Sequence, residues 1–188
     1  MIPKKRCSLC GNETPLISAT LSVCSRCIRE RPEEAMIYIK EAHTRSRRPY
    51  RLPTRPPKNE GGIKCSLCAN ECSMKEGDLG YCGLRWNEGG TLRSLVSANQ
   101  ALLYAYKDPH VTNCCASWFC PAGTGAGYPK YAYRKGPEYG YYNYAVFFYG
   151  CNFDCLYCQN ASHKDLEKAP RVSIEEFVGS VLNDKAIS

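Results

Sequence analysis

Ile174, Phe177, Val178, Val181 and Leu182 recur at helical spacing, which predicts an amphipathic helix near the end of the chain. Ser173 and Glu176 open it with a capping box, hydroxyl and carboxylate each satisfying a free N–H of the first turn. Upstream, NYAVFFYG (residues 143–150) is a short apolar run closed by a glycine and reads as a buried strand. Strand, intervening loop and helix make one βα unit. In residues 89–108, GGTLRSLVSANQALLYAYKD, a turn signal and two short apolar runs predict a hairpin. Nearer the start, Ala35, Met36, Ile39 and Ala42 predict a short helix. Pro32 suits its first turn, where a missing N–H costs nothing, and Glu33 and Glu34 suit the positive end of its dipole. Residues 44–62 are basic, rich in proline and nearly free of large aliphatics, so they read as a semi-extended linker. Residues 113–143 are irregular, with many Gly, Pro and Tyr.

The 188 residues have the charged and apolar fractions of a globular protein and hold no apolar run of the roughly 18 residues a membrane span needs. The N-terminus, MIPKKRCSLC, lacks the apolar core of a secretory signal, so a reducing cytoplasm is expected. Most of the net charge of +7 comes from residues 40–58, where seven Lys/Arg face one acid, Glu41. Without interleaved aromatics such a run reads as a solvated linker and not as a nucleic-acid arm. In a reducing compartment, the 14 cysteines read as metal ligands before disulfides.

Their spacing sorts them. Cys7-x2-Cys10 and Cys24-x2-Cys27 are paired knuckles of the zinc-ribbon kind, a staple that so short a segment needs in order to fold. Cys65, Cys68, Cys72 and Cys82 form a second quartet, with Gly77, Gly80 and Gly83 to turn the loop back; it suits zinc or an auxiliary iron–sulfur cluster. CSLCGNE (residues 7–13) and CSLCANE (residues 65–71) agree at six of seven positions, as two related knuckles would. Cys114, Cys115 and Cys120 read as small packed thiols. GTGAG at residues 123–127 lacks the following GK[ST] of a phosphate loop, and His43, His110 and His163 have no cysteine at ligand spacing. Cys151-x3-Cys155-x2-Cys158 is the third set. It offers three thiolates where a [4Fe–4S] cube takes four, so one iron either borrows a ligand, with Cys120 the candidate, or stays open for a substrate or cofactor.

This last motif, CxxxCxxC with Tyr157 before its final cysteine and a strand just ahead of it, resembles the hallmark of radical S-adenosylmethionine (radical SAM) enzymes. GCNFDCLYCQN is most similar to the branch related to pyruvate formate-lyase activating enzymes. The preceding CSLCANECSMKEGDLGYCGLRWNEGGTLRSL, leading to Asp108-Pro109, resembles the N-terminal region of AmmeMemoRadiSam-type members. The likeness covers residues 65–181. It implies that Cys151, Cys155 and Cys158 hold a [4Fe–4S] cluster whose open iron binds S-adenosylmethionine, with Tyr157 against the adenine. It also implies reductive cleavage to a 5′-deoxyadenosyl radical, driven by a reductant such as ferredoxin or flavodoxin, on a substrate the sequence does not name.

The expected fold class is therefore α/β: the start of a partial (β/α)6 barrel, preceded by zinc-ribbon-like knuckles and a β-rich irregular segment. The expected domains are a knuckle with a short helix over 1–43, a linker over 44–62, a cysteine-containing extension over 63–142 and the first βα unit over 143–188. At the roughly 30 residues per unit of a (β/α) barrel, about 150 residues should follow the first unit, and 30 lie beyond Cys158. An N-terminal piece of a longer enzyme, a truncated open reading frame, or one half completed by a second chain is the expectation, with no activity alone. The rival reading is a non-catalytic multi-zinc knuckle module that binds a partner protein or nucleic acid.

Overall fold

A computed structural model describes residues 3–111 and 116–187. The chain divides into two compact units, Met1–Leu95 with Gly150–Leu166, and Val96–Tyr149 with Glu167–Ser188. The knuckles, the basic stretch and the CxxxCxxC loop thus share unit 1. The division falls at 95/96, 149/150 and 166/167.

Unit 1 begins with β1 (Lys5–Arg6) and β2 (Glu13–Thr14), an antiparallel ladder that brackets Cys7 and Cys10. Helix α1 (Ser25–Glu30) follows Cys24 directly, and α2 (Pro32–Arg47) carries Pro32, Glu33 and Glu34 in its first turn, as expected. The local core is Cys7, Ile17, Val23, Cys24 and Cys27. Three of those five are cysteines, too little apolar surface to fold on alone. The basic stretch departs from expectation. Helix α2 runs on to Arg47, whose side chain is fully buried, its guanidinium 3.7 Å from the centroid of the Tyr81 ring and donating to the Pro53 carbonyl at 2.5 Å. Leu52 is buried too, and Ser73 N–H donates to the Pro57 carbonyl at 2.8 Å. Charge and proline suggest a solvated spacer; an aromatic face and the carbonyls of Pro53 and Tyr81, both accepting from the guanidinium, make burial of the arginine tolerable.

The short antiparallel ladder of β3 (Ile63–Lys64) and β4 (Ser73–Met74) brackets Cys65, Cys68 and Cys72. The repeated heptapeptide thus gives the same local device twice. The first loop closes with Cys7 N–H on the Asn12 carbonyl and the second with Cys65 N–H on the Cys72 carbonyl, two residues wider. Strands β5 (Arg85–Glu88) and β6 (Thr91–Ser94) form a hairpin around Gly89 and Gly90, both at positive φ, as a two-residue turn requires. The apolar run at 91–95 therefore pairs backward through the Gly-Gly turn, and the hairpin expected with residues 101–106 does not form.

In unit 2, β7 (Gln100–Pro109) is the central strand, with β8 (Tyr142–Phe148) and β9 (Arg171–Ser173) antiparallel on either side. The short α3 (Pro121–Thr124) lies in the irregular segment, and α4 (Ile174–Leu182) follows β9. Strand β8 appears where predicted, but it is half-buried and antiparallel to its partner. Among the described residues there is mixed helix and small sheets and no closed barrel. The apolar stripe of α4 is not buried: Ile174, Val178 and Leu182 are exposed. No helix among the described residues is long and apolar enough to cross a membrane.

Candidate metal centres

The four sulfurs of Cys7, Cys10, Cys24 and Cys27 lie within 4.8 Å of one another, three of the cysteines buried and Cys10 exposed. Cys7 Sγ is 3.9 Å from Cys27 Sγ, and Cys10 Sγ 3.8 Å from Cys24 Sγ. Four thiolates at about 2.3 Å from one ion stand about 3.8 Å apart along the edges of a tetrahedron, so the set is positioned to hold a metal ion. Burial raises the Cys7 thiol, but N–H donors at Cys10, Cys24 and Leu9 outweigh it and bring the group down to about 6. The Cys24 N–H, for example, lies 3.3 Å from Cys7 Sγ. Burial and the neighbouring sulfurs push Cys27 up to about 12. Sharing protons unequally in this way is what closely packed thiols do before a cation replaces the protons.

Cys65, Cys68, Cys72 and Cys82 line one cavity of about 300 Å³. Cys72 is buried, which raises its thiol, and its sulfur accepts the Tyr81 N–H at 3.4 Å. Cys65, Cys68 and Cys82 are half-buried. Among the described residues, no group of three or more possible ligands converges as closely as the first quartet does.

The third set lies on the loop that follows β8. Gly150 starts it at φ +84°, where a Cβ would stand 2.4 Å from the Leu84 side chain, so only glycine fits. Its N–H donates to the His163 carbonyl at 3.1 Å and closes the base of the loop. Cys151 is half-buried, with the Phe153 N–H 3.3 Å from its sulfur, and Cys155 and Cys158 are exposed. A turn links Cys158 N–H to the Cys155 carbonyl at 3.0 Å. Tyr157 is 88% exposed. The Asn70 side chain donates to the Asn152 carbonyl at 2.8 Å and ties this loop to the one carrying Cys68 and Cys72.

One side chain of the loop turns inward. The buried carboxylate of Asp154 lies 2.7 Å from His43 Nδ1, accepts Ser46 Oγ–H at 2.8 and 2.9 Å, pairs with Lys164, and has the Arg47 guanidinium at 3.9 Å. Burial alone would raise this carboxyl; the hydrogen bonds from Lys164, His43 and Ser46 hold it below the ordinary carboxylate range. His43, Ser46 and Arg47 all belong to α2, so the helix that grows out of the first knuckle also braces the cysteine loop. The spacing of the cysteines did not point to this cluster. The available signal was an acid between two cysteines, a residue that needs a cation if it is buried.

The remaining expectations fall elsewhere. His43 bonds Asp154, His110 pairs with Glu138 at 3.2 Å, and His163 lends its carbonyl to the loop base. Cys120 is the N-cap residue of α3 in unit 2, and Cys114 and Cys115 lie outside the described residues. Compared with known protein families, with characterised proteins and with solved structures, the chain matches none.

Proposed function

We propose that this chain is a radical SAM-type protein. Cys151, Cys155 and Cys158 hold a [4Fe–4S] cluster with one iron left to S-adenosylmethionine, and Cys7, Cys10, Cys24 and Cys27 hold a structural zinc ion. The observation that carries this reading is the division of labour on the loop. Its backbone is anchored through Asp154 and Gly150, and the thiols of Cys155 and Cys158 stay exposed. With the half-buried Cys151 they make a soft donor set of three that suits an iron–sulfur centre with an open position. When bound, the cluster and S-adenosylmethionine together supply one-electron reductive cleavage.

The chain's own residues supply holding and orientation. The Phe153 N–H lies 3.3 Å from Cys151 Sγ, and the exposed Tyr157 ring offers a face to adenine. Asp154, buried and paired, serves the loop and is closed to proton transfer with a substrate. The zinc assignment rests on sulfur spacing, which matches a closed tetrahedron of thiolates. Free thiols at all twelve described cysteines fit a reducing cytoplasm. Completion of a barrel by a second chain belongs to the same proposal, as does electron delivery by a ferredoxin or flavodoxin.

Anaerobic purification tests the reading. A brown protein with broad absorbance near 400 nm, of which the share held by the CxxxCxxC loop is lost in Cys155→Ala while the knuckle keeps its zinc, supports it. The rival reading, a zinc-knuckle interaction module, draws on the fact that the first quartet alone is closed to ligand distance among the described residues. A colourless protein carrying zinc and no iron decides for that module.

A further inference from the structure

We propose that Cys65, Cys68, Cys72 and Cys82 hold a second, polynuclear iron–sulfur cluster, and not a single metal ion. All four line one cavity, yet among the described residues the first quartet is the group gathered closely enough to hold a single metal ion. The two sets start from nearly the same heptapeptide, so the difference lies in the backbone that follows. The first loop closes over Cys7 to Asn12; the second closes over Cys65 to Cys72 and takes in a third cysteine. One ion with thiolates at about 2.3 Å draws the four sulfurs to about 3.8 Å from each other. A cluster places several irons and sulfides between its thiolates and keeps them farther apart.

A Cβ at Gly62 would stand 2.7 Å from the Met74 backbone, and one at Gly80 3.2 Å from the Arg85 carbonyl, so the chain is already in close contact on either side of the set. Gly80 accepts Gly83 N–H at 2.8 Å in the turn that delivers Cys82, with Gly83 at φ +78°. The surroundings also suit an anionic cluster. Tyr81 N–H points at Cys72 Sγ, and Arg85, a cation, lines the cavity. Gly150 and Asn152 line it as well, so one wall is the loop that carries Cys151.

The test uses the full chain, purified without oxygen and reconstituted with ferrous iron and sulfide. Iron, acid-labile sulfide and zinc are counted in the wild type, in a Cys151→Ser, Cys155→Ser, Cys158→Ser triple variant, and in a Cys65→Ser, Cys68→Ser double variant. The triple variant, which leaves the second quartet whole, should keep about half of the wild-type iron and sulfide if both clusters are of the [4Fe–4S] type. The double variant should lose the complementary half, and all three proteins should carry about one zinc, which reports an intact first knuckle. A triple variant with no iron and a second zinc overturns the proposal, as does a double variant that keeps all its iron. A triple variant that keeps all of its iron, with a double variant that has none, supports the second cluster while overturning the reading of the CxxxCxxC loop.

Discussion

Asp154 gathers Lys164, Arg47, His43 and Ser46 around one buried carboxylate, and its removal leaves two cations without their counter-charge. Breaking a buried pair from one side costs roughly 3–5 kcal/mol, so Asp154→Ala should lower the stability of unit 1 by an amount of that order in urea titrations. A change below about 0.5 kcal/mol would mean that the network does not hold the loop. With a structural zinc at the first quartet as proposed, Cys24→Ala should release it and leave residues 3–30 open to protease, because that ion would contribute the folding energy there. Lys107 and Asp184 give the pH prediction. Their pairing raises the lysine and lowers the aspartate from its ordinary 3.8. A depressed carboxyl stabilises the fold above its unfolded pKa and loses that contribution as pH falls through the folded value, so unit 2 should weaken below pH 3.8. In an NMR titration Asp184 should ionise below 3.8, and Lys107→Ala should return it upward; an unmoved midpoint would exclude the pair. At this scale the sequence was legible where chemistry is local, as in the cysteine spacing. Arg47 and Asp154 were not legible, because the reason each is buried lies at Tyr81 or at α2, far along the chain.

Helix α4 shows both sides at the level of elements. Its capping box was legible because Ser173 and Glu176 need only each other: Ser173 Oγ accepts the Glu176 N–H at 3.1 Å, and the Glu176 carboxylate accepts the Ser173 N–H at 2.8 Å. Ser173→Ala should therefore cost about 1 kcal/mol, read as a shift in the thermal midpoint of unit 2. The helical period of its apolar stripe was equally plain, but periodicity says nothing about what covers the stripe. Leu182 is 76% exposed, so Leu182→Ser should change stability by less than about 0.5 kcal/mol; a larger loss would show that another surface covers it. Strand pairing was the least legible. The run at 91–95 is claimed by β5 because two glycines make the tightest turn, whereas β7 finds its partners 33 residues or more away at β8 and β9.

For the whole molecule, the three cysteine sets fall within unit 1, although 68 residues separate Cys82 from the next of them, Cys151, and the intervening strand β7 belongs to unit 2. The first knuckle leads into α2, and α2 meets the cysteine loop at Asp154, so the first cysteine quartet and the CxxxCxxC loop share one support. Removing the knuckle's metal with a chelator should loosen that loop as well as residues 3–30, seen as faster amide exchange around Asp154. Electron paramagnetic resonance of the reduced, oxygen-free protein with and without S-adenosylmethionine goes straight to the reading of the loop. The expected result is a [4Fe–4S] signal that shifts when the nucleoside is added and that Cys151→Ser, Cys155→Ser, Cys158→Ser removes. A signal from that loop that does not move when S-adenosylmethionine is added would contradict it.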